Sequence, residues 1–276
     1  MSVDSMAVYR GMDIGTAKPT PAERAEVPVH LLDLVDPDEE FTVRRFQDAA
    51  GEVLAGIEAR GRRALFVGGT GLYFRAVVDG LEVPGRWPEV AEGLHEEAAS
   101  AGGPARLHAR LGALDPAAAA RIDPGNTRRL VRALEVTLGS GRPFSSFGPG
   151  LETYPPTSVV LVGVRVDPTR LDARIDARFR GLLAAGLLEE VRTLSTRPGG
   201  LSRTARQALG YRELLSHLED GVALDVAVEE AVRRTRAFAR RQWAWFRRDP
   251  RISWLDPEGD VLGQLLDVWD APEMGD

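Results

Sequence analysis

The chain contains no cysteine, so disulfides, zinc–thiolate sites and thiol nucleophiles are excluded. It contains one lysine, Lys18, and every other basic side chain is arginine, a bias that arginine-favouring codon usage accounts for. Histidine is scarce: His30, His95, His108 and His217 are scattered without metal-ligand spacing, and no protein-bound metal site is expected. No apolar run reaches the roughly 18 residues of a membrane-crossing helix. The N-terminus lacks a basic segment followed by an apolar one, so no export signal is read and the expected location is the cytoplasm. No Gly-x-x-x-x-Gly-Lys-[Ser/Thr] run occurs either, and the strongest phosphate-binding signature is therefore missing. What is present is 276 residues, 43% hydrophobic and 28% charged, enough for a buried core in one or two domains. The net charge of −6 excludes a uniformly cationic surface and leaves nucleic-acid binding to local patches.

An apolar run at 64–67, then Gly68-Gly69-Thr70-Gly71, then an apolar helical pattern predicts strand, tight turn and helix, with the turn at the carboxyl end of a parallel strand. SVVLVGVRV at 158–166 predicts a second buried strand. Asp167-Pro168 then supplies an N-cap and first-turn proline for a helix with Leu171, Ile175, Phe179, Leu182 and Leu183 on one side. Strands alternating with helices predict an α/β fold with a mostly parallel sheet. Residues 82–126 hold no strand candidate and read as a helical insertion, including a helix opened by Asp115-Pro116. The Gly-, Pro- and Ser-rich stretch 140–157 reads as a long surface loop. The expected division is a core part over 1–81, the insertion over 82–126, and a second core part with C-terminal helices over 127–276.

Three stretches could carry chemistry. Asp4-Ser5 follows a short strand candidate, Ser2-Val3, where a carboxylate can act as a general base or simply cap a helix. The glycine turn permits close approach of a ligand to the backbone, but it is equally a structural turn. Arg170, Arg174 and Arg178 form a basic stripe at helical spacing, either a solvated face or a grip on an anion. Farther on, eight arginines at 233–251 interleave with Phe238, Trp243, Trp245 and Phe246. Such a helix can hold phosphates and stack on bases, or use its aromatics as a core stripe.

Taken in order, SVDSMAVYRGMDIGTAKP, VPVHLLDLVDPDEEFTVRRFQDA, LFVGGTGLYFRAVVDGL, NTRRLVRALEV, RIDARFRGLLAAGLLEEV, RQALGYREL and FARRQWAWFR resemble the successive motifs of the bacterial tRNA dimethylallyltransferases. The resemblance runs from residue 1 to about residue 255. It implies a P-loop NTPase-like core with a helical insertion that embraces the anticodon stem-loop. It also implies transfer of a dimethylallyl group from dimethylallyl diphosphate to N6 of adenosine 37, which is flipped into a channel. The implied partners are tRNA and dimethylallyl diphosphate, with Mg2+ accompanying the diphosphate, and the protein is expected to be a monomer. Matched residue by residue, Asp4 corresponds to the family's general base, Thr70 to a catalytic position that also meets tRNA, and Arg178, with Arg174, to the diphosphate side. The tRNA-contacting motifs correspond to Asp4, Ser5, Met6 and Ala7; to Thr70; to Arg128, Arg129, Leu130, Val131 and Arg132; to Gln207, Gly210, Tyr211 and Arg212; and to Arg240, Arg241, Gln242, Trp245 and Arg247.

Ala7 stands where the family commonly has glutamine, and Ala244 where a hydroxyl side chain is frequent. Family members carry a strand, a P-loop ending in Gly-Lys-[Ser/Thr] and a helix ahead of the segment that opens this sequence. The expectation is therefore a family member lacking its first strand and P-loop, with the magnesium ligand of that loop missing and activity impaired. Two alternatives are an isopentenyltransferase acting on free adenine nucleotides and a non-catalytic tRNA-binding remnant. The first has no need of the helical insertion or the Arg/Trp helix.

Overall fold

The computed structural model describes residues 1–148 and 150–271. Pro149, within the expected surface loop, and 272–276, the end of the expected second core part, lie outside the described residues. The elements run β1 (Ser2–Val3), α1 (Pro21–Glu26), α2 (Val43–Glu58), β2 (Val67–Gly68), α3 (Gly71–Val78), α4 (Pro88–Ala99), α5 (Gly103–Leu114), α6 (Pro116–Ala119), α7 (Thr127–Ser140), β3 (Leu161–Val164), α8 (Pro168–Ala184), α9 (Leu187–Ser195), α10 (Tyr211–Asp220), α11 (Leu224–Phe246), β4 (Ile252–Leu255) and α12 (Val261–Asp270).

The chain divides into two compact units, one of 1–78 with 156–276 and one of 79–155. In the first, β1 pairs in parallel with β2, and β3 in parallel with β4. Parallel pairing needs long crossovers, and helices supply them here. The core of this unit gathers Val3, Val8, Tyr9 and Met12 from the opening segment, Phe46 from α2, Leu187 and Val191 from α9, and Tyr211 and Leu214 from α10. The second unit is helical, and its core is built from Leu94, Leu107, Leu111, Leu130 and Leu134.

Local rules account for several helix starts. The Asp167 carboxylate accepts from the backbone N–H of Thr169 (2.9 Å) and Arg170 (3.1 Å) to open α8, with Pro168 in the first turn. Asp115 caps α6 through Ala118 N (3.0 Å) and also accepts from Ser145 N (2.7 Å).

The expectation that the first strand and P-loop are lost, leaving the fold open at its start, is corrected. Ordered α/β elements begin at Ser2, and β1 is hydrogen-bonded in register to β2, Ser2 with Val67 and Val3 with Gly68. The Met1 ammonium donates to Leu65 O at 2.8 Å, and Val3 is fully buried. No loss of a first strand is evident among the described residues. The strands are shorter than the apolar runs that announce them, because pairing covers only 67–68 and 161–164. The helical unit, 79–155, is wider than the 82–126 read from the sequence, and the main addition is α7, whose Leu130, Val131, Ala133 and Leu134 are buried in that unit's core.

Candidate functional site

Asp4 leaves the end of β1 half-buried, and its position is set by a tight turn in which Oδ1 accepts from Met6 N (2.7 Å) and Ala7 N (3.3 Å). Oδ2 has no protein partner among the described residues. The next residue fastens this loop to the glycine turn: Ser5 N donates to Thr70 Oγ1 (3.2 Å), and the Thr70 hydroxyl lies 3.4 Å from Ser5 Oγ. Thr70 N in turn donates to Val3 O at 3.3 Å. Asp4 and Thr70, 66 positions apart in sequence, are thus brought together at the carboxyl end of the β1–β2 pair, where a parallel α/β fold places its ligands.

Tyr73 lies one turn into α3, its ring 4.5 Å from that of Phe46. Burial first, then the nearby Asp4 carboxylate, pushes the Tyr73 hydroxyl well above its ordinary pKa, so it stays protonated. On the other side of the turn lies α11. Gln242 Nε2 donates to Gly69 O at 2.9 Å. A Cβ on Gly69 would collide with the Gln242 amide, and one on Gly71 with the Trp245 indole. The rigid indole leaves no room for a Cβ at Gly71, whereas at Gly69 a Cβ would have to displace the Gln242 amide from its bond to Gly69 O.

The segment after Asp4 is pinned from a distance. Glu190 of α9 accepts from the backbone N–H of Asp13 (2.9 Å), Ile14 (2.7 Å) and Gly15 (3.1 Å), and from the Tyr211 hydroxyl (2.5 Å). Lys18, with 1% of its side chain exposed, donates to Tyr9 O (2.6 Å), Asp13 Oδ1 (2.8 Å) and Asp33 Oδ1 (2.7 Å). Arg24 adds a 2.8 Å bond to Asp33. Burial opposes ionisation of Asp33, but Lys18 and Arg24 together hold its carboxyl below the usual range. Neither Glu190 nor the Lys18 cluster carries a local sequence signal beyond Lys18 being the sole lysine.

The remaining predicted residues fall into distinct environments. Arg174 and Arg178 are exposed on α8 without an ion-pair partner among the described residues, and no hydrogen bond joins them to the Asp4 loop. Arg128 and Arg129 are exposed on α7, whereas Leu130 and Val131 are buried and Arg132 donates to Pro84 O (2.8 Å) and pairs with Glu135 (2.9 Å). Gln207 and Arg212 are exposed and 3.4 Å apart, while Gly210 and Tyr211 are buried. Arg240 is exposed and bonds Asp172 of α8 (3.1 Å); Arg241 and Arg247 are exposed, and Trp245 is half-buried. Met6 packs against the core and Ala7 lies within it. Leu130, Val131 and Tyr211 therefore serve the interior, because a motif names a stretch of helix but not which of its faces points outward. No group of three or more His, Asp or Glu side chains is placed to hold a metal among the described residues.

The model of the family described as IPP transferase matches residues 7–249. A tRNA dimethylallyltransferase of Desulforudis audaxviator is 46% identical over 97% of this chain and 87% of its own length. One from Kineococcus radiotolerans is 51% identical over 97% of this chain and 85% of its own. A crystal structure of the full-length tRNA isopentenylpyrophosphate transferase from Bacillus halodurans superposes with a TM-score of 0.67 at 36% identity, covering 97% of this chain and 84% of that one. These matches run through nearly the whole chain and correct the expectation of a family member lacking its N-terminal P-loop segment. With the Asp4–Thr70 pair at the strand ends and a family match of this extent, the chain belongs to the IPP transferase family.

Proposed function

We infer that this protein modifies tRNA, transferring the dimethylallyl group of dimethylallyl diphosphate to N6 of adenosine 37. The relatives named above and their shared family support the reaction. The observation that carries the site is the Asp4 carboxylate, held by two backbone N–H groups through Oδ1 and left with Oδ2 free, beside Thr70 on the glycine turn.

The exocyclic N6 of adenine is a weak nucleophile and must lose a proton as it forms its new bond. Asp4 Oδ2 accepts that proton. N6 bonds to the allylic C1 while the C1–O bond to diphosphate breaks, and the bonding pair leaves with the diphosphate. Thr70 and Ser5 keep the Asp4 loop against the glycine turn, so the base is oriented before the substrates arrive. Arg178, with Arg174, meets the negative charge that develops on the leaving group. The exposed arginines of the helical unit, Arg128 and Arg129, and those of α11, Arg240, Arg241 and Arg247, hold the anticodon stem-loop by its phosphates. The protein acts as a monomer in the cytoplasm. No helix among the described residues is long and apolar enough to cross a membrane. Magnesium is expected with the diphosphate, but no group of three or more carboxylates or histidines is arranged to hold it among the described residues.

Labelled dimethylallyl diphosphate and unmodified tRNA with adenosine at positions 36 and 37 test this directly. Label should enter the tRNA and not AMP. Asp4→Asn should lower kcat by about 100-fold or more, the scale of general-base loss, with tRNA affinity within about twofold. Label in AMP alone would sink the substrate, and equal loss of kcat and affinity would sink the base.

A further inference from the structure

We propose that Gln242 is a positioning residue for the transfer, setting the glycine turn and through it Thr70 and the Asp4 loop, rather than a direct contact to tRNA. Gln242, Trp245 and Phe246 stand at i, i+3 and i+4 on α11 and face one way. The Gln242 amide donates to Gly69 O (2.9 Å), the Trp245 indole closes on Gly71, and the Phe246 ring meets Phe74 of α3 edge-on at 6.1 Å. Three side chains of one helix therefore clamp the turn and the first turn of α3. Arg240, Arg241 and Arg247 are exposed, so the same helix separates a face that holds the turn from side chains that reach solvent.

One of the two amide N–H groups of Gln242 donates to the carbonyl next to Thr70. Thr70 takes the Ser5 N–H through Oγ1, and Asp4 is the residue before Ser5. Releasing Gly69 O frees the turn at the atom adjacent to Thr70, and the Asp4 carboxylate loses its fixed aim at N6. A displacement near 1 Å of a catalytic group can cost as much as about 100-fold in rate. A residue acting this way changes the chemical step and leaves the grip on tRNA alone.

The role deepens the reading of Asp4 as the base, and the test separates the two. Gln242→Met keeps the length of the side chain and removes the donor. It should lower kcat about tenfold while the Kd for the unmodified anticodon stem-loop moves less than about twofold. Gln242→Lys retains a donor that reaches Gly69 O and should recover most of kcat, which shows that loss in the Met variant is not a failure to fold. In a Thr70→Ala background, Gln242→Met should cost less than about a further twofold, because both act through one turn. Additive losses, no recovery by Lys, or a weakened Kd with kcat intact would each overturn the role, the last marking a direct tRNA contact. Should Asp4→Asn keep full kcat while Gln242 and Thr70 still couple, the base assignment falls and the positioning role stands.

Discussion

Tyr211 sits inside one of the stretches that resembles a tRNA-binding motif, yet its ring is fully buried and its hydroxyl donates to Glu190 at 2.5 Å. The same carboxylate collects three backbone N–H groups of 13–15, so the hydroxyl completes the clamp on the segment that follows Asp4. Burial first, then the Glu190 charge, pushes the Tyr211 hydroxyl far above its ordinary pKa. Tyr211→Phe should cost about 1.5–3 kcal/mol at neutral pH, the worth of a hydrogen bond to a charged acceptor, read from urea unfolding. The pH dependence has a definite sign. The folded pKa lies above the unfolded value near pH 10, so the tyrosine's contribution is full below about pH 10 and is lost as pH rises from there toward the folded pKa. The stability gap between wild type and Tyr211→Phe should therefore be smaller at about pH 11 than at about pH 8. An equal gap at both would mean the hydroxyl titrates normally.

At the scale of elements, the chain forms two parallel pairs of short strands, of which β1–β2 carries the ends from which the site is built, and each pair or its flank leaves apolar side chains in solvent. Leu65 is 57% exposed, Val67 62% and Val160 69%. Strand flanks of this kind attract other apolar surfaces unless charge or proline blocks them, and neither stands at Val67 or Val160. Threonine preserves the branched shape that suits a strand while removing apolar surface. Val67→Thr with Val160→Thr should reduce binding of a hydrophobic dye such as anilinonaphthalene sulfonate and slow aggregation on concentration. The unfolding free energy should move by less than about 1 kcal/mol in total, as for exposed substitutions. Unchanged dye fluorescence would show that these flanks are covered in solution.

Across the whole molecule, what was legible in the sequence was local. The caps at Asp115 and Asp167 could be read because a carboxylate and a following proline act within one turn, and the glycine turn because backbone approach excludes a side chain. The strand Ile252–Leu255 could not, being four residues long and directly behind an arginine-rich helix. Glu190 could not either, since the groups it clamps lie some 175 positions earlier, and hydrogen bonds of that range leave no periodic trace. Net charge was legible and points to how tRNA must be held. At −6 overall, the protein repels a polyanion at long range, so binding has to come from exposed arginines acting locally. Of those proposed to meet tRNA, Arg128, Arg129, Arg241 and Arg247 are free of carboxylate partners among the described residues, whereas Arg240 is paired with Asp172. Each phosphate contact releases counterions, so raising NaCl from about 50 to 200 mM should weaken tRNA binding by more than about tenfold. Arg241→Gln should lower affinity for all tRNAs alike and reduce the slope of log Kd against log salt by about one, while Arg240→Gln should do less, because its guanidinium must leave Asp172 to reach a phosphate. A salt-independent Kd, or a larger effect at Arg240 than at Arg241, would place the tRNA on another face.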